Sequence, residues 1–94
     1  MSEQPYEFRG YVIPARMMGG MQRYFEHGLS PGSFLMAVLC NDLVGAAYAA
    51  DDENLSALPA YAAYLYNEAP SGSWGSRTAV THWMSVKRAA GHAA

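Results

Sequence analysis

From Leu35 through Val38, Leu39, Leu43, Ala46 and Ala50, apolar residues recur at steps of three and four, while Asn41, Gly45 and Tyr48 share another face. That spacing is one side of an α-helix, and it predicts a long helix opening at Ser30-Pro31-Gly32-Ser33 and ending near Asp51-Asp52. Ser30 is a good N-cap with Pro31 at the first helical position, and Ser33 is the alternative cap. A second stripe, Leu55, Leu58, Ala62, Leu65 and Ala69, predicts a helix after the acidic cluster. Pro59 demands that this helix either kink or start at Ser56. Ahead of both, residues 15–27 read as a helix closed by Gly28 as a left-handed cap. Its Gly19-Gly20 pair costs about 1 kcal/mol per residue relative to alanine, so the pair is read as room for the close approach of a partner backbone. A Pro-, Gly- and Ser-rich loop covers 69–76. Ser76 then caps a last helix over 77–89, with Val80, Trp83 and Met84 inward and Lys87-Arg88 in its final turn.

The ends of the chain break the helical pattern. Residues 1–14 carry Pro5, Gly10 and Pro14, with Tyr6, Phe8 and Tyr11 between them. A proline pushes its predecessor out of the α region, so this arm is extended at Ile13-Pro14 and too aromatic to lie free of its own domain or a neighbour. The alanine-rich stretch 90–94 is expected to fray.

Composition agrees with the periodicity. Alanine is the commonest residue, and methionine and leucine together outnumber valine, isoleucine and threonine, a balance that favours helix over strand. An all-α protomer of three to four helices, two of them long and antiparallel, is the predicted fold. Ninety-four residues make one small domain, spanning 1–94, that buries only roughly 60–65% of its unfolded surface. Yet 51% of the residues are hydrophobic and 15% charged, against about 25% charged in typical soluble domains. Self-association into a compact homo-oligomer follows as an expectation. A net charge of −2 argues against affinity built on a long phosphate backbone, hence no DNA partner. The single cysteine, Cys40, excludes an internal disulfide framework and fits a reducing cytoplasm. No apolar run approaches the ~20 residues of a membrane span, and Met1-Ser2-Glu3-Gln4-Pro5 does not open a secretory leader.

Catalytic patterns are missing. The chain has no Cys–His cluster of zinc spacing, no phosphate-cradling loop motif and no paired carboxylates on one helical face, so neither an enzyme, a metal nor a cofactor is expected. His27, His82 and His92 lie far apart in sequence and read as surface or helix-end residues. Asp51-Asp52-Glu53 reads as a helix-start cluster. Asn41-Asp42 sits inside a predicted helix although both residue types prefer caps. An inter-helix hydrogen bond orienting the oligomer is favoured there over a ligand contact. What remains to bind a ligand is aromatic, cationic and serine-rich: Tyr11, Arg16, Arg23 and Tyr24, with the helix starts Ser30-Pro31-Gly32-Ser33 and Trp74-Gly75-Ser76-Arg77-Thr78. Bases need π-faces and phosphates need donors and cations, although ordinary core packing and ordinary caps explain the same residues.

Three groups of residues resemble a known family. They are Tyr11-Val-Ile-Pro14 with Arg23-Tyr24; the run Gly28-Leu-Ser-Pro-Gly-Ser-Phe-Leu-Met-Ala-Val-Leu-Cys-Asn-Asp-Leu43; and Ala50-Asp-Asp-Glu-Asn54, Tyr64-Leu-Tyr-Asn-Glu68 and Trp74-Gly-Ser76. Together they are similar to the phage anti-CBASS protein 2 family, sponges for cyclic oligonucleotide signals, over roughly residues 8–83. The resemblance implies a helical protomer in a homohexamer that works in the cytoplasm of the infected bacterial host. It implies binding of cyclic dinucleotides such as 3',3'-cGAMP between protomers, and of cyclic trinucleotides in separate pockets, without cleavage. By this likeness Tyr11 stacks on a base, and Arg23, His27, Ser30, Gly32 and Ser33 complete the dinucleotide site. Trp74, Gly75, Ser76, Arg77 and Thr78 are the candidate trinucleotide site. The chain departs from the family pattern at Glu26-His27, where a lysine is expected; Arg23 or a protonated His27 is the substitute. A small helical DNA-binding regulator and an oligomer that blocks another protein through its apolar surface are the rival readings.

Overall fold

A computed structural model of the protein describes the backbone of residues 4–93 and the side chains of 4–90. In chain order its elements are β1 (Tyr6–Phe8), β2 (Tyr11–Ile13), α1 (Ala15–His27), α2 (Ser33–Leu39), α3 (Leu43–Ala49), α4 (Asp52–Ser56), α5 (Leu58–Asn67) and α6 (Arg77–Ala93). The fold is mostly helical, as the periodicity predicts, with one antiparallel two-stranded sheet added.

That sheet corrects the reading of the arm. Tyr6 pairs with Ile13, Glu7 with Val12 and Phe8 with Tyr11. Arg9 (φ 54°) and Gly10 (φ 86°) make the two-residue turn, both in the left-handed region that a tight hairpin requires. The Glu7 carboxylate accepts a hydrogen bond of 2.7 Å from the Gly10 N–H and closes the turn. The hairpin packs on α5, where Tyr6 meets Tyr64 edge to face at 5.1 Å, so the arm's aromatic residues are spent largely on its own domain.

Helix α1 has the predicted bounds. Pro14 precedes it in an extended conformation, and Gly28 ends it at φ 70°, its N–H donating to Tyr24 O at 2.9 Å. Gly28 also lets α6 approach closely, since a Cβ there would stand 2.7 Å from Met84 O. The Gly19-Gly20 pair plays no such part: Gly20 faces the side chain of Leu35 in its own chain, and Gly19 is buried.

Neither long central helix is continuous. Asn41 takes φ 62°, and the Asp42 N–H reaches Ala37 O (2.9 Å) while Asn41 N–H reaches Val38 O (3.1 Å), which is the double closure of a Schellman motif. Asp42 then caps α3, its carboxylate accepting from the Gly45 N–H at 2.9 Å. Asn41-Asp42 is therefore a break between two helices and does not sit inside one. Helix α2 starts at Ser33 with Gly32 (φ 95°) as cap residue and no side-chain cap, so neither Ser30 nor Ser33 caps it. Asp51 caps α4 by accepting from the Asn54 N–H at 2.8 Å, as the acidic cluster predicts. A further break at Ala57 leaves Pro59 in the first turn of α5, where a proline costs nothing.

The buried face of α5 is Ala60, Tyr61, Ala63, Tyr64 and Leu65, rotated from the predicted stripe; Leu55 and Ala62 are exposed. Ala60, Tyr61, Tyr64 and Leu65 join Ile13, Met21, Tyr24, Leu35, Leu39 and Val80 in one core. Two polar side chains inside it are satisfied: Tyr24 OH donates to Ser73 O and Tyr61 OH to Asn54 Oδ1, both at 2.7 Å. Ser76 caps α6 by accepting from the Ala79 N–H at 3.0 Å. Val80 is buried, and Trp83 and Met84 are half-buried against the core, as predicted. The helix continues past the expected fraying point to Ala93, and Ala94 lies outside the described residues.

Candidate functional site

Six lysine and arginine side chains are available to hold an anion, and the fold uses four of them. Arg16 bridges Asp51 (3.0 Å) and Glu53 (2.7 Å) and ties the start of α1 to α4. Those carboxylates hold its guanidinium pKa above the ordinary value, while the Asn54 N–H and then Arg16 hold the Asp51 carboxyl below its own. Arg9 lies over the Phe8 ring at 5.0 Å and Lys87 over the Trp83 ring at 4.8 Å. Arg88 donates to Gly28 O at 3.1 Å. Arg23 and Arg77 make no ion pair or side-chain hydrogen bond among the described residues, and both are exposed.

Tyr11, 46% exposed, sits at the tip of the hairpin as the cross-strand partner of Phe8. Because Arg9 covers Phe8, the tip gathers two aromatic rings and a cation. Sequence reasoning passed over Arg9; the alternation Tyr6-Glu7-Phe8 beside a glycine was the signal available. Arg23 and His27 lie on the last turns of α1, with His27 Nε2 3.8 Å from the Glu26 carboxylate. Ser30 and Gly32 are exposed in the loop that leads from α1 into α2, and Ser33 is exposed at the start of α2. No hydrogen bond, ion pair or ring contact among the described residues joins Tyr11 to this second cluster. Within one copy the two clusters remain separate features.

The predicted trinucleotide residues divide in a similar way. The Gly75 N–H is spent on Leu39 O (2.8 Å) and the Ser76 hydroxyl on the α6 cap. Trp74 turns a half-buried ring into the cleft between α3 and α5. Arg77 and Thr78 instead lie on an open face of α6, with Thr81, His82 and Ser85. The hydroxyls of Thr78, Thr81 and Ser85 recur at three- and four-residue steps, a periodicity legible in the sequence and overlooked there because it is polar.

Among the described residues no three His, Cys, Asp or Glu side chains gather as a metal site, and no helix is long and apolar enough to cross a membrane. Compared with protein-family models, curated proteins and solved structures, the chain matches none.

Proposed function

We propose that this protein is a phage counter-defence sponge: it binds cyclic dinucleotides, and at a second site cyclic trinucleotides, holds them uncleaved, and so keeps the host's CBASS effector inactive. The observation that carries the reading is the accounting of cations. The two guanidinium groups without an ion pair or side-chain hydrogen bond among the described residues, Arg23 and Arg77, fall one in each of the two residue groups that the family likeness names. A cyclic dinucleotide carries two phosphates and two bases, so a few cations and stacking rings suffice where a duplex would need a basic face. The exposed Tyr11 ring and the neighbouring Arg9 supply one such stacking position. Repetition of that position by a second copy suits a nearly two-fold ligand, since isologous interfaces are themselves two-fold.

The test is a release assay. Purified protein is mixed with a panel of cyclic di- and trinucleotides, freed of unbound ligand, heat-denatured, and the supernatant chromatographed. Intact nucleotide in the supernatant is the expected result; linear products would make the protein an enzyme, and an empty supernatant would end the sponge reading. One observation favours the rival, an oligomer that blocks another protein: the apolar side chains of α3 and the end of α5 stand in solvent. Capture of a host protein without any nucleotide would establish that alternative.

A further inference from the structure

We infer that the face made by α3 and α5 is where a second copy of this chain docks. The inference rests on the self-association contained in the functional reading above, and adds the surface that produces it. Only Ala46 of the seven residues of α3 is buried. Leu43 is 71% exposed and Tyr48 89%, and on α5 Tyr66 is 83% exposed. Leu43 and Tyr66 stand on the rims of one cleft of about 370 Å³, floored by Ala46, Leu65 and Trp74. Val44 and Tyr48, one helical turn apart, extend the apolar surface over the outward side of α3.

Size and charge select the occupant. The two tyrosines alone leave on the order of 350 Å² in solvent, given the roughly 150–250 Å² an aromatic side chain can bury. With Leu43, Val44 and the cleft walls the patch exceeds the few hundred Å² that a monomer ordinarily exposes. Doubled across a two-fold contact, it reaches the ~1,000 Å² that a stable association needs. Neither α3 nor α5 contains a charged residue, and the one charged residue lining the cleft, Asp42, spends its carboxylate on the Gly45 N–H, so two copies of the face meet with little opposition of like charges, the condition an isologous contact imposes. The same lack of cations disfavours a nucleic acid or an anionic lipid surface, both of which are recognised through lysine and arginine.

The experiment is light scattering on the full chain as it elutes from a sizing column, over a dilution series. Wild type is expected at a multiple of its 10.2 kDa mass. Leu43→Glu/Val44→Glu places carboxylates in the first turn of α3, and Tyr66→Lys places an ammonium in the last turn of α5, positions where each charge complements the helix dipole. Both variants therefore keep their helical circular dichroism. Each raises the concentration of half-assembly by about tenfold or more, because like charges then face each other across the contact. Val86→Glu, at an exposed apolar site on α6 away from this face, leaves the mass unchanged. A wild-type chain that elutes as a single copy, or two face variants that assemble like wild type, overturns the inference. Nucleotide retention measured on the same fractions separates the two proposals. Assembly without retention sinks the sponge and keeps the face, whereas retention by single copies does the reverse.

Discussion

Tyr24 and Tyr61 carry hydroxyls into the core, and each is held there by one acceptor, Ser73 O and Asn54 Oδ1. Burial, with a smaller contribution from Cys40, pushes the Tyr24 phenol up to about 12 from an ordinary value of 10.0, and burial also raises Tyr61. Above pH 10.0 the unfolded chain sheds these protons while the folded chain keeps them. Stability is then complete below that pH and falls as pH rises through 10.0 towards about 12. Urea midpoints are expected to be flat from neutrality to the onset of this window and to decline within it. A midpoint that rises there would show that the two phenols ionise in the folded state. Tyr24→Phe leaves the Ser73 carbonyl without its donor and lowers stability by about 1–2 kcal/mol. It also lessens the alkaline decline, which a purely steric role for the ring would not do. Gly28 is constrained in a different way. Alanine there meets both a left-handed backbone at φ 70° and the Met84 carbonyl, so Gly28→Ala costs at least about 2 kcal/mol in the same assay.

At the scale of elements, the break between α2 and α3 depends on two adjacent residues with different duties. Asn41 supplies the left-handed turn and Asp42 the cap. Asp42→Ala is expected to lower stability by about 1 kcal/mol, the usual value of an N-cap. Asn41→Gly leaves it unchanged or slightly raised, because glycine adopts the same backbone without strain. A destabilised Asn41→Gly protein would mean that the asparagine side chain does more than turn the chain. This break also shows how the sequence was legible and where it was not. Helix α1 could be read to the residue because proline and glycine fix its two ends. The break at Asn41-Asp42 was visible as a propensity conflict, but the apolar period runs across it: two short helices joined by a tight turn present nearly the same stripe as one long helix. The hairpin was hidden for another reason. Its strands are three residues each, too short for alternation to register, and its turn is Arg9-Gly10 in place of the usual Asn-Gly.

For the whole molecule, the informative quantity is which polar groups the fold consumes, and that depends on tertiary contacts no sequence pattern displays. Nothing about Lys87 or Arg9 distinguishes it from Arg23 or Arg77 until the Trp83 and Phe8 rings are in place beneath the first two. The unspent pair makes the two-site reading separable by substitution. Arg23→Ala is expected to weaken retention of cyclic dinucleotides by about tenfold or more and to leave trinucleotides alone; Arg77→Ala does the opposite, since a charge-assisted hydrogen bond is worth roughly 1.5–3 kcal/mol. Tyr11→Ala follows the Arg23 pattern through lost stacking, at about 1–3 kcal/mol per base. Neither arginine has a partner to lose among the described residues, so both variants melt like wild type and a fall in retention reports the site itself. Parallel losses of both ligands from each arginine variant would merge the two sites into one. A retention profile indifferent to all three substitutions would place the binding surface elsewhere, with the hydroxyl-bearing face of α6 the next candidate.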